Sequence, residues 1–133
     1  TNTYDSRGNL IGRQDAAGNT ATYTYDGQGK LLTLTDADGN ITRYTHDSLG
    51  RVTTLVDGNG ETTRFVYDGN GNISSIVSAR GFDTRFTYDG EGRLTKVTDA
   101  LGNVSQVEYN AAGDRTAVID ALGRRTEYHY NNK

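Results

Sequence analysis

Residues 25–45 read YDGQGKLLTLTDADGNITRYT, and the rest of the 133-residue chain is built from variants of this unit. Counted from each tyrosine, the pattern restarts at Tyr4, Tyr25, His46, Tyr67, Tyr88, Tyr109 and Tyr130, always 21 residues apart and without insertion or deletion. Self-similarity at a fixed period marks a repeat architecture, in which each unit buries its apolar face against its neighbours. Six complete units (4–24, 25–45, 46–66, 67–87, 88–108 and 109–129) form a single array, followed by Tyr130-Asn131-Asn132, the opening of a seventh. An array that opens inside one repeat and stops inside another reads as an excerpt of a longer protein.

The glycines carry the punctuation. Gly8, Gly29, Gly50, Gly71, Gly92 and Gly113 occupy the fifth repeat position, and Gly18, Gly39, Gly60, Gly81, Gly102 and Gly123 the fifteenth, so twelve of seventeen glycines are tied to the period. Three residues before most of them stands an aspartate: Asp5, Asp26, Asp47, Asp68 and Asp89 in the first set, Asp36, Asp57 and Asp99 among the second. Aspartate at the first position of a turn accepts a bond from the backbone two residues on, and glycine tolerates the left-handed conformation that closes a bulged hairpin loop. Two turns per repeat predict one β-hairpin per repeat.

Between the turns lie segments such as KLLTLT (30–35), NITRYTH (40–46) and ETTRFVY (61–67), all of strand length and rich in Thr, Val, Ile, Leu and aromatics. In the longer segment Thr42, Tyr44 and His46, like Thr63, Phe65 and Tyr67, are two apart, which puts the aromatics on one face and Arg43, Arg64 and Arg85 on the other. In the shorter one the apolar residues are three apart (Leu31 and Leu34, Val52 and Leu55, Ile73 and Ile76, Leu94 and Val97). No straight strand puts such a pair on one face, so either a bulge or apolar residues on both faces is expected. No window supports a helix. The fold class is all-β: a repetitive antiparallel hairpin meander of about thirteen strands.

Hydrophobic content of 33% is low for a compact domain, but the regular aromatic placement argues against disorder. A net charge of −3 with scattered basic residues gives no case for a nucleic-acid partner. Cysteine is absent, which removes disulfides and thiolate metal sites, and no apolar run approaches a membrane span.

The stretch YDGEGRLTKVTDALG, residues 88–102, resembles the YD-repeat, or Rhs-repeat, family, and the resemblance runs through all six units. That family includes bacterial Rhs proteins, the B and C components of insecticidal Tc toxin complexes, and the teneurins. The resemblance implies a curved or spiralling β-sheet strip that forms a hollow shell around a toxin or effector polypeptide, in a secreted or cell-surface setting, with neighbouring repeats and the cargo as partners. Two alternatives stand beside it: an extracellular adhesion module binding glycans or proteins, as in teneurin-like shells, and a β-fibre self-assembling edge to edge. The sequence departs from the pattern at His46, at Asn110 and Asn131 in place of aspartate, at Ser78, and at Arg13 and Arg115 where Leu or Val belongs. Family shells are closed by a cap with aspartate-dependent self-cleavage near proline-containing motifs, and this chain has no proline, so no cleavage site is expected within it.

The candidate functional residues are therefore structural: the Tyr-Asp pairs and the period-locked glycines of each repeat. Loops such as Asp36-Ala37-Asp38-Gly39-Asn40 alternate oxygen donors as a calcium loop begins, but their glycine falls at the fourth position instead of the sixth, and Asp99-Ala100-Leu101-Gly102 lacks the second donor. Turn chemistry explains every copy, and no metal or cofactor is implied. His46 occupies a tyrosine position and His129 another strand, so packing outweighs a ligand or base role. The aspartates sit at exposed turns and no serine or threonine stands apart from the repeat as a nucleophile, so no enzymatic activity is expected. The aromatic row is read as packing in preference to a stacking platform for sugars or bases.

Overall fold

The computed structural model describes residues 1–130; Asn131 and Asn132, where the seventh repeat opening falls, lie outside the described residues. Thirteen strands form one antiparallel sheet in chain order: β1 (Asn2–Tyr4), β2 (Leu10–Gln14), β3 (Thr20–Tyr25), β4 (Leu31–Thr35), β5 (Ile41–His46), β6 (Val52–Val56), β7 (Thr62–Tyr67), β8 (Ile73–Val77), β9 (Asp83–Tyr88), β10 (Leu94–Thr98), β11 (Val104–Tyr109), β12 (Arg115–Ile119) and β13 (Arg125–Glu127). The described residues contain no helix. The chain divides into two compact units, Thr1–Arg64 and a second beginning at Phe65, with the boundary inside β7.

Within each unit long and short strands alternate, and the puzzle of apolar residues three apart is resolved by a bulge. Tyr23 pairs with Leu34 and Tyr25 with Leu31, while Thr24 pairs with Thr33, so Leu32 is the extra residue. Residues paired across an antiparallel ladder share a face, and one inserted residue therefore brings Leu31 and Leu34 onto the side of both tyrosines. The same shift recurs between β1 and β2, β5 and β6, β9 and β10, and β11 and β12. Pairings of a short strand with the long strand that follows, such as Thr33↔Arg43 to Thr35↔Ile41, run without a shift.

The expected facing of the long strands is present. In β5, Thr42, Tyr44 and His46 are half-buried and Arg43 and Thr45 exposed, and β7 and β9 repeat the pattern. The opposite face is threonine-rich, with hydroxyl pairs such as Thr24 to Thr33 at 2.6 Å and Thr45 to Thr54 at 2.6 Å. Only Ala117 is fully buried among the described residues. Within each unit the strands form a single layer, so side chains cover only their neighbours on the same face.

Candidate functional site

Each loop is a self-contained device centred on the residue three before the glycine. In residues 36–40 the Gly39 N–H donates to the Asp36 carbonyl at 3.1 Å, and the Asp36 N–H to the Asn40 carbonyl at 3.0 Å. One carboxylate oxygen of Asp36 accepts the backbone N–H of Asp38 at 3.0 Å and of Asn40 at 2.9 Å, and the other accepts the Asn40 side-chain amide at 2.9 Å. Asp5, Asp26, Asp47, Asp68, Asp89 and Asp99 accept the corresponding two backbone bonds. All twelve period-locked glycines, from Gly8 to Gly123, have φ between 77° and 91°. No group of three or more His, Cys, Asp or Glu side chains converges among the described residues.

Donation from the Asn40 side chain, then from its backbone, holds the Asp36 carboxyl below the ordinary aspartate range, and at Asp26 the backbone N–H of Lys30 does so. A carboxylate with a depressed folded pKa contributes stability that is complete above the unfolded value of ~3.9 and is lost as pH falls through the folded value. Thermal stability is therefore expected to be level near neutrality and to fall below about pH 4, read as melting temperature against pH.

One loop reverses the polarity of this device. Asn110 still accepts the backbone N–H groups of Ala112 and Asp114 at 2.9 Å each, but its side-chain amide donates to the Asp114 carboxylate at 3.1 Å. Asp36→Asn alone should lower the melting temperature, because the charge-assisted bond from the Asn40 amide to the carboxylate is replaced by a weaker bond between two neutral amides. The double variant Asp36→Asn/Asn40→Asp should recover most of the loss and shift acid sensitivity to position 40. A double variant no better than the single one would show that the side-chain pair carries no coupling.

The first-position tyrosines close the hairpins through their hydroxyls. Tyr25 donates to the Leu10 carbonyl at 2.8 Å, Tyr88 to Ile73 at 2.9 Å, Tyr109 to Leu94 at 2.9 Å and Tyr130 to Arg115 at 2.9 Å, each fifteen residues back. The register of β2 on β3 ends at Gly12↔Thr22, so the Tyr25 phenol spans to a carbonyl beyond the last paired residue. Tyr4 is 56% exposed, and its oxygen accepts the Asn2 amide at 3.3 Å. At His46 an imidazole stands in place of the phenol. Reading both aromatic positions as packing alone misses this role. The signal was present: phenylalanine occurs at the second position (Phe65, Phe86) and never at the first.

Cations complete two of the aromatic sites. Arg93 lies 4.8 Å over the ring of Tyr109, and Arg115, standing where Leu or Val belongs, lies 5.5 Å from the ring of Tyr128, a cation–π contact in place of an aliphatic one.

The family model described as RHS Repeat matches residues 4–41, 25–63 and 67–104, more than half of the chain. The chain belongs to the RHS repeat family. No curated protein matches it. Among solved structures, the RHS repeats here resemble a chain of the Photorhabdus luminescens Tc holotoxin pore with TM-score 0.76 and 19% identity, over 90% of this chain and 7% of that one. They also resemble a chain of TcdB2-TccC3, with TM-score 0.71, 19% identity and 89% of this chain covered against 7% of that one. A third likeness is to TcdB2-TccC3 without its hypervariable C-terminal region, with TM-score 0.66, 23% identity, and 77% of this chain and 5% of that one covered. At these identities the likeness shows a shared fold, and the chain spans a small fraction of those structures' length.

Membership in the family puts loop packing into a repeat-by-repeat frame. Gly58 is the single glycine at a position held by Ala16, Ala37, Ala79, Ala100 and Ala121 in the other RHS repeats. A β-carbon on Gly58 would meet the β-carbon of Asn40 at 2.7 Å, whereas one on Gly69 meets nothing within 4 Å. Gly58→Ala, although it restores the commoner residue, is expected to lower stability by roughly 1–3 kcal/mol through overpacking. Gly69→Ala should be neutral or stabilising by up to about 1 kcal/mol. Chemical denaturation of the two variants distinguishes them.

Proposed function

We propose that the six repeats act as one array, a wall segment of a shell that encloses a toxin or effector polypeptide. Its partners would be neighbouring repeats, toxin components and the cargo, in a secreted or cell-surface setting. The observation that carries this reading is the fold likeness, over 90% of the chain, to a Tc holotoxin chain. A wall needs no catalytic centre; it needs closed loops and backbone groups held within the sheet. The turn device repeated from Asp5 to Asp120 supplies the first and the ladder from β1 to β13 the second. Tyr→carbonyl bonds at positions 25, 88 and 109 favour packing over a glycan platform, because the phenols are already engaged within the sheet.

Light scattering with small-angle X-ray scattering across a concentration series tests the proposal. A curved monomer whose size does not change with concentration supports a wall segment. Growth into long particles would overturn it and make an edge-to-edge fibre the functional unit.

A further inference from the structure

Strands β3 to β7 contain no aspartate or glutamate. The acidic residues around them stand in the loops, where the carboxylates of Asp26, Asp36, Asp47 and Asp57 each accept two backbone N–H bonds. On the face opposite the aromatics, β5 and β7 each present one exposed arginine, Arg43 and Arg64, and neither guanidinium has an ion-pair or hydrogen-bond partner among the described residues. Register places the two charges. Arg43 lies opposite Thr33 on one side and Val56 on the other, and Arg64 lies opposite Thr54. Arg64 is thus two strands across and two residues along from Arg43, about 12 Å between α-carbons, with Val56 and Thr54 between them.

The second unit neutralises its arginines on the equivalent face. There Arg85 pairs with Asp83 at 2.8 Å, and Arg125 takes both carboxylate oxygens of Glu108 at 2.7 and 2.8 Å. A single solvated arginine is ordinary; two unpaired ones on an acid-free face, in a chain of net charge −3, make a local cationic surface.

We infer that this face of β5, β6 and β7, from Arg43 to Arg64, docks an acidic polypeptide segment in extended form, with carboxylates on its first and fifth residues and an aliphatic residue at its third. In an extended chain residues four apart lie on one side and about 13 Å from each other, a span that matches the two arginines. Each guanidinium takes a carboxylate through two parallel N–H bonds, the geometry that Arg125 and Glu108 show in this chain. The third side chain rests on Val56. Nucleic acids and sugars fit less well. Tyr23, Tyr25 and Tyr44 lie on the other face, so no ring is offered for stacking, and two cations release few counterions from a polyanion. The inference is independent of the wall reading, since the face offers the same groups whether or not the array encloses cargo.

The test titrates isotopically labelled full chain with the acetylated and amidated pentapeptide ETVTE at low ionic strength. Amide shift changes centred on Arg43, Val56 and Arg64 are expected, with a dissociation constant on the order of 1 mM, because exposed ion pairs are individually weak. The neutral peptide QTVTQ should bind about tenfold more weakly or not at all, and raising the salt to physiological strength should weaken ETVTE binding. The variant Arg43→Gln/Arg64→Gln, with the melting temperature of the parent, should lose the ETVTE response; the comparison of the two peptides is made on the parent chain and does not depend on the variant. Shift changes centred elsewhere, equal binding of QTVTQ, or no response at about 10 mM ETVTE would overturn the inference. So would a disulfated disaccharide or a trinucleotide, each with two negative charges like the peptide, that shifts the same amides at lower concentration, which would assign the face to a glycan or to nucleic acid.

Discussion

Gly29→Val is expected to destabilise the chain by about 1–3 kcal/mol, because it forces a β-branched residue into the left-handed region. Gly29 has φ +81°, and its amide closes the turn by donating to the Asp26 carbonyl at 3.1 Å. Space is not the obstacle: an added β-carbon meets only the Asn9 side-chain oxygen, at 3.5 Å. The loss should therefore be conformational, and Gly29→Asn should lose less, since asparagine enters that region more readily. Gly27→Ala, in the same loop with no atom within 4 Å of its added carbon, serves as the matched control. Equal melting of Gly29→Val and the parent would mean that the loop does not have this geometry in solution.

Tyr88→Phe is expected to cost about 1 kcal/mol, the net value of one hydrogen bond, and Tyr88→Ala more, through loss of the ring against its neighbours. The phenol of Tyr88 reaches the Ile73 carbonyl at 2.9 Å in a half-buried setting, and its ring shares a face with Leu94 through the Tyr88↔Leu94 pair. Tyr44→Phe, at the second aromatic position, is expected to be near neutral, because Phe65 and Phe86 stand at the equivalent place. Denaturant midpoints for the three variants check the distinction. A Tyr44→Phe loss as large as that of Tyr88→Phe would remove the separate role of the first-position hydroxyl.

Both predictions turn on residues that the sequence marked, but for reasons it disclosed unequally. Gly29 was legible in kind as well as position. A turn is a local interaction over five residues, so Asp-x-x-Gly fixes its own conformation, and ten copies confirm one another. Tyr88 was legible only as a recurrent aromatic, because its partner lies fifteen residues back, and reaching it depends on where the ladder ends.

The sequence by itself determined the strand lengths, the positions of the loops, the aromatic face and the repeat family, since each follows from short-range periodicity and turn chemistry. It left open whether apolar residues three apart meant a bulge or two apolar faces. Only the tertiary structure decided that, because a bulge is defined by the partner strand, through pairs such as Tyr25↔Leu31 and Thr24↔Thr33. The closeness of Asn40 to Gly58 was likewise settled by strand neighbours. Such contacts depend on the register between repeats, a distance that no single 21-residue unit encodes.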